Sequence, residues 1–195
     1  MEIIVIDDNL KIEDPLIIEL GMEYQDENVK LFTKSEEGLL YIKENLKKEL
    51  IVILDINFPY TEKNGHQVLE EIRKHNKLIP VIIWSAKDGS DDDFTDFINN
   101  HALFYVKQTG TTKEIISRVK DAEHRLNLDV ATAIENWLEQ QQDKQQTLMV
   151  SGESNPLSVN DLIKEIRLET EKGQKIEESI LRLTISLLFR SKESI

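Results

Sequence analysis

Apolar residues follow two alternating rhythms over the first two-thirds of the chain. Runs in which every position is apolar, IIVI at 3–6, IVIL at 51–54 and VIIW at 81–84, are separated by longer stretches with apolar residues every third or fourth position. Uninterrupted runs rich in β-branched residues fit strands buried on both faces, and the amphipathic stretches fit helices laid against them. Their alternation predicts βα units around a parallel sheet. Five strands are expected, at residues 2–6, 28–32, 50–54, 79–83 and 103–106, with the first, third and fourth at the centre. Ser35 before Glu36 and Glu37 predicts an N-cap and an acidic first turn, with Leu39, Leu40, Ile42 and Leu46 facing inward. Val68, Leu69 and Ile72 give residues 65–76 the same character. Ile115, Ile116, Val119, Ala122 and Leu126 predict a helix starting near Thr111 or Thr112.

Beyond residue 125 the pattern turns wholly helical. Val130, Ala133, Ile134, Trp137 and Leu138 keep helical spacing, so the helix from Thr111 is expected to extend to about Gln146. VSGESNPLS at 150–158 has the composition of a linker. Ser158 and Asp161 then resemble a capping box opening a helix with Val159, Leu162, Ile163 and Ile166 inward, and Gly173 is expected to end it. A last helix, from about Lys175 to Arg190, is apolar on more than one face. The expected division is 1–125, a helical extension at 126–146, a flexible linker at 147–157 and a two-helix module at 158–195.

Charge and composition narrow the function. The 195 residues carry a net charge of -13, which argues against a grip on nucleic acid or on an anionic membrane through Lys/Arg contacts. Residues 126–195 hold 8 Lys/Arg against 12 Asp/Glu, with no basic recognition helix, so direct DNA contact is not expected. The absence of cysteine removes thiol chemistry and thiolate metal sites. No apolar run approaches the roughly 20 residues that span a bilayer, and a soluble cytoplasmic protein without membrane partners is expected.

Candidate chemistry gathers at strand ends. Asp7 and Asp8 follow the first strand, Asp55 the third, Ser85 closes the fourth and Lys107 follows the fifth. A parallel sheet brings these carboxyl ends to one rim, where open α/β folds bind ligands. Three carboxylates there repel one another unless a hard cation joins them, and Mg²⁺ is such a cation, sharing its remaining ligands with water and phosphate. The combination of acids, hydroxyl and lysine predicts a site that handles phosphoryl groups.

In order and frame these residues resemble the receiver domain of two-component response regulators, over roughly residues 1–125. The resemblance implies a five-stranded, doubly wound, flavodoxin-like parallel sheet followed by an α-helical C-terminal extension. It implies that Asp55 accepts a phosphoryl group from a histidine kinase or phosphotransfer protein, becoming an acyl phosphate. It further implies Mg²⁺ (or Mn²⁺) held by Asp8 and Asp55, by Asp7 through water and by the backbone carbonyl of Asn57. Ser85 and Lys107 would bind the phosphoryl oxygens. Ser85 and Phe104 would form the switch. Asn57 and Lys87 would tune dephosphorylation, Lys87 by screening the acyl phosphate from water. Two departures stand out: Gln108 follows Lys107 where most receivers have proline, and the loop from Asp55 to Gly65 is longer than usual.

The output is expected to be association with a downstream protein, or with a second copy, through the C-terminal helices. The competing expectation is a non-cycling scaffold or dimerisation adaptor on the same fold. Ser90 to Asp93 is expected to open a helix rather than bind Ca²⁺. His66, His75, His101 and His124 are expected at the surface, without acidic partners.

Overall fold

The computed structural model describes residues 1–86, 95–97, 99–108, 111–148 and 156–192, with side chains described through Ile185. Lys87 and the run Ser90 to Asp93 lie outside the described residues. The chain divides into two compact units, Met1–Asn127 and Leu128–Ile195.

The first unit is built on five parallel strands, β1 (Glu2–Ile6), β2 (Val29–Phe32), β3 (Leu50–Leu54), β4 (Val81–Ser85) and β5 (Phe104–Lys107), in the order β2-β1-β3-β4-β5. The central three are buried at almost every position, β2 only partly, as befits an edge. Side chains alternate between the two faces. Ile4, Ile6, Val52, Leu54, Val81 and Ile83 pack beneath α2 (Ser35–Glu44) and α3 (Gly65–His75). Ile3, Val5, Ile51, Ile53 and Ile82 pack beneath α1 (Pro15–Tyr24) and α4 (Thr112–Leu128). Two cores flank one sheet, which explains why β1, β3 and β4 have no polar alternation.

Three local expectations need correction here. Leu40, expected to face inward from α2, is exposed. Ser35 is not the cap of α2 but its first residue; Lys34 occupies the cap position, and the Ser35 amide donates to the Glu62 carboxylate at 2.7 Å. Glu62 comes from the long β3–α3 loop, and Lys63 beside it pairs with Glu36 at 2.8 Å. The extra loop length is therefore folded back onto the N-terminus of α2, where a negative charge is favourable. His66, expected without an acidic partner, sets its Nδ1 against Asp96 and stacks on Phe97 with ring centroids 4.5 Å apart.

In the second unit the expected continuous helix is broken. Asp129 has extended backbone and accepts from the Thr132 amide at 2.8 Å and the Thr132 hydroxyl at 2.7 Å, capping a new helix, α5 (Val130–Glu139). The expected linker at 147–157 is bounded by a strand pair, β6 (Thr147–Leu148) against β7 (Leu157–Ser158), antiparallel. Ser158 and Asp161 form a reciprocal capping box on α6 (Val159–Arg167). Gly173 does not end that helix. It lies in the first turn of α7 (Glu171–Lys192), where a Cβ would come within 2.4 Å of the Glu165 carbonyl oxygen, so its smallness lets the two helices approach. The three helices pack on Ala131, Ile134, Leu138, Val159, Leu162, Ile163, Ile166 and Ile176.

Candidate functional site

Backbone pairing alone brings the candidate residues together. The Asp7 amide donates to the Phe32 carbonyl at 3.0 Å, and the Asp55 amide to the Ile6 carbonyl at 2.9 Å, so the ladder carries both acids one residue past their strands. Ser85 pairs in register with Lys107, and the Gln108 amide donates to the Ser85 carbonyl at 2.8 Å. Carboxylate oxygens of Asp7, Asp8 and Asp55 lie within 4.8 Å of one another.

The β3–α3 connection sets the direction of Asp55. Gly65 opens α3 with its amide on the Ile56 carbonyl at 2.9 Å, and a Cβ there would lie 2.3 Å from the Asp55 carbonyl oxygen. Only glycine allows the helix to start this close to the acid. The Ile56 amide donates to Asp55 Oδ1 at 2.7 Å. The buried Ser85 hydroxyl is hydrogen-bonded to the Asp55 carboxylate and accepts from Asn57 Nδ2 at 3.2 Å.

Asp7 is held from three sides. Its Oδ1 accepts from the amides of Asn9 at 2.9 Å and Leu10 at 3.2 Å, and its Oδ2 from the Gln108 side-chain amide at 3.0 Å. Asp8 is only partly buried and accepts from Asn9 Nδ2 at 2.8 Å.

Burial dominates the electrostatics. Asp7 and Asp55 are 1% and 4% exposed. Burial lifts the Asp7 carboxyl above the usual carboxylate range, against the pull of the Asn9, Leu10 and Gln108 donors. Asp55 is pushed up to about 6, first by burial and then by the negative charge of Asp7, against the Ile56, Ser85 and Asn57 donors. Asp8 adds to the rise at Asp7 and Asp7 to the rise at Asp55, so the three acids form a site that gains from a cation. The donor set is all oxygen, which suits a hard ion such as Mg²⁺.

Phe104 stands at the opposite end of β5 from Lys107. It is half-buried on the α1/α4 core, with the Arg118 guanidinium 5.1 Å from its ring centroid. The structure thus brings Asp7, Asp8, Asp55, Asn57 and Ser85 together and places Lys107 at the same rim. The side-chain roles of Gln108 and Glu62 are additions that residue order could not supply.

Comparison with known proteins agrees with this geometry. Residues 3–120 match the model of the response regulator receiver domain, well over half of the chain. The chain belongs to the response regulator receiver family. As a receiver it has two kinds of relative. A 57-residue stretch is 47% identical to the transcriptional regulatory protein CiaR of Streptococcus pneumoniae, covering 29% of this chain and 24% of CiaR. Over 120 residues it is 28% identical to the uncharacterised transcriptional regulatory protein YkoG of Bacillus subtilis, covering 62% of this chain and 50% of YkoG. The chain therefore matches half or less of the length of these relatives. Among solved structures, a CheY-like receiver domain protein of Methanospirillum hungatei superposes with a TM-score of 0.57 at 19% identity, over 66% of this chain and 98% of that one. The NtrX receiver domain of Brucella abortus superposes with a TM-score of 0.55 at 22% identity, over 66% and 100%. These likenesses establish the fold. Among the described residues no helix is long and apolar enough to cross a membrane.

Proposed function

We propose that this chain is a phosphorylation-dependent switch, charged on Asp55 by a histidine kinase or phosphotransfer protein, whose output is association with another protein rather than direct DNA contact. The observation that carries the reading is the convergence of three acidic groups on the Ser85 hydroxyl and the Lys107 position at one rim. Fold likeness alone would leave function open.

In this reading a carboxylate oxygen of Asp55, whose direction the Ile56 amide fixes, attacks. The Asp55 oxygen forms a bond to phosphorus, the phosphorus–nitrogen bond of phosphohistidine breaks, and the imidazole leaves with the electron pair. At about pH 6 for half-ionisation, Asp55 is mostly carboxylate at pH 7 and available as nucleophile. Mg²⁺ or Mn²⁺, held by Asp8, Asp55 and the Asn57 carbonyl with Asp7 through water, would neutralise charge on the transferring group. Lys107 places a second positive charge on the phosphoryl oxygens. Ser85 exchanges its hydrogen bond from Asp55 to a phosphoryl oxygen, and Phe104 responds by leaving its place beside Arg118. Asn57, bonded to Ser85, and Lys87 set the rate of hydrolysis.

Residues 1–125 form the switch, and the helices after 126 form the output. On α7, Leu181 and Ile185, four residues apart on one face, are exposed by 44% and 45%, an apolar strip suited to a partner helix or a second copy, while Leu183, exposed by 61%, lies on another face. The net charge of -4 over residues 126–195 speaks against phosphate binding there, although the two relatives named above are transcriptional regulators. A cytoplasmic location follows from a kinase partner.

Intact mass after treatment with a small phosphodonor and Mg²⁺ tests the switch. One phosphoryl adduct is expected on the native chain and none on Asp55→Ala. A folded native chain that binds Mg²⁺ yet takes no phosphoryl group would establish the non-cycling scaffold instead.

A further inference from the structure

Gln108 occupies a place where the family resemblance leads one to expect a proline, and its side chain reaches into the acid cluster. Its Nε2 donates to Asp7 Oδ2 at 3.0 Å and lies 3.4 Å from the Trp84 carbonyl, while its backbone amide holds the Ser85 carbonyl at 2.8 Å. Gln108 is thereby anchored to the end of β4 on one side and spans the rim to the end of β1 on the other. Asp7 is 1% exposed, so water cannot readily replace that donor.

A carboxylate has about four lone-pair sites. Three on Asp7 are filled by Asn9, Leu10 and Gln108. The two backbone donors belong to the turn that leaves β1 and are fixed by the fold. The Gln108 donor is a side chain, on a different strand, and is the replaceable one.

We propose that Gln108 is a built-in placeholder for the divalent cation: its amide satisfies Asp7 while the site is cation-free, and by competing for Asp7 it sets the cation affinity of the site. The inference rests on the phosphoryl-switch reading above. An N–H dipole aimed at a carboxylate reduces the negative potential available to a cation, and a buried acceptor stripped of its donor destabilises the fold. The residue therefore works in two directions at once. It stabilises the cation-free site and weakens the cation-bound one relative to it. Gln108 is a positioning residue, acting through Asp7 rather than on the transferring group.

The test uses the full chain and Mg²⁺ alone, with calorimetric titration for affinity and urea unfolding with and without saturating Mg²⁺ for stability. Gln108→Ala is expected to bind Mg²⁺ about 3- to 10-fold more tightly, since about 1 kcal/mol of competing hydrogen bond is removed. Its urea midpoint should fall in the absence of Mg²⁺ and approach that of the parent at saturation. Gln108→Lys, which places a full charge where the amide dipole stands, should do the opposite: a raised midpoint without Mg²⁺ and weaker binding. If Gln108→Ala does not fold, the Lys variant carries the test alone. Equal or weaker Mg²⁺ binding in Gln108→Ala, with the same stability deficit at every Mg²⁺ concentration, would reduce Gln108 to a structural tie and overturn the proposal. Equal or tighter binding in Gln108→Lys would overturn it too. The parent chain separates this failure from failure of the switch reading: a parent that binds Mg²⁺ and accepts a phosphoryl group keeps that reading whatever Gln108 does.

Discussion

Glu135 and Glu139 in the C-terminal unit, and Asp7 and Asp55 at the sheet rim, are two pairs of buried or nearly buried acids with different neighbours. Arg167 lies between the glutamates, 2.5 Å from one and 2.8 Å from the other, and Lys144 reaches Glu139 at 3.0 Å. Burial raises the proton affinity of Glu135, and the Arg167 charge opposes it. At the rim, burial raises Asp55 likewise, but the next influence is Asp7, which adds to the rise. One pair is closed by a guanidinium; the other keeps a repulsion that an incoming cation relieves. At the rim the strongest charged neighbour of the buried acid is another acid, and between Glu135 and Glu139 it is a base.

The comparison breaks if the tie can be cut without consequence. Arg167→Ala leaves two acids without their base and is expected to lower the stability of the C-terminal unit by about 3–5 kcal/mol, measured by urea unfolding. Replacing Glu135, Glu139 and Arg167 together by Leu or Met should be close to neutral, because ion pair and desolvation penalty vanish at once. The corresponding apolar replacement of Asp7, Asp8 and Asp55 should leave a folded chain that accepts no phosphoryl group. A large loss in the triple apolar variant of the C-terminal unit would show that its ion pair does more than compensate burial.

A pH series sharpens the other side. Asp55 ionises at about pH 6 when folded and near 3.8 as a free side chain. An acid that binds its proton more tightly when folded stabilises the fold at low pH. That contribution is complete below about pH 4 and is lost as pH rises through 6, in total about 3 kcal/mol. Metal-free protein should therefore lose stability between pH 4 and 7 relative to Asp55→Asn, in which the contribution is absent, and saturating Mg²⁺ should shrink the difference. Parallel pH profiles for parent and variant would remove the repulsion argument.

Much of this was legible in residue order, for a physical reason. Strands buried on both faces must be apolar throughout, so IIVI, IVIL and VIIW announce themselves, and a parallel sheet then places whatever follows them at one rim. What escaped depends on side chains that cross between distant segments. Glu62 caps α2 from 27 residues away, His66 meets Asp96 across 30, and Gln108 reaches Asp7 across 101. Arg73, a charged residue in α3, is buried with its guanidinium on the carbonyls of Asn76, Ile79, Asn100 and His101. No periodicity encodes such reaches. The break at Asp129 is different, because an Asp with a Thr three residues later is a local cap signal, overshadowed here by apolar spacing that continues past it.

Gly65 links the sheet rim to backbone geometry rather than charge. Gly65→Ala would set a methyl 2.3 Å from the Asp55 carbonyl oxygen, so helix and loop must separate. A loss of about 2 kcal/mol is expected from such overpacking, together with slower phosphoryl uptake as Asp55 is displaced. Stability lost with unchanged uptake kinetics would mean that the Asp55 carboxylate is positioned by its own hydrogen bonds alone.

The smallest expected effect lies at the helix break in the C-terminal unit. Asp129→Ala removes the acceptor for the Thr132 amide and hydroxyl, and should cost about 1 kcal/mol, the usual value for an N-cap. Asp129 also raises the proton affinity of the half-buried Glu177, so its removal relieves that carboxyl and offsets part of the loss. Asp129→Asn keeps an acceptor for the cap and discards the charge, and should therefore equal or exceed the parent in stability at neutral pH. Were Asn to destabilise as much as Ala, the negative charge at the start of α5 would be the stabilising element, acting on the unpaired amides of the first helical turn.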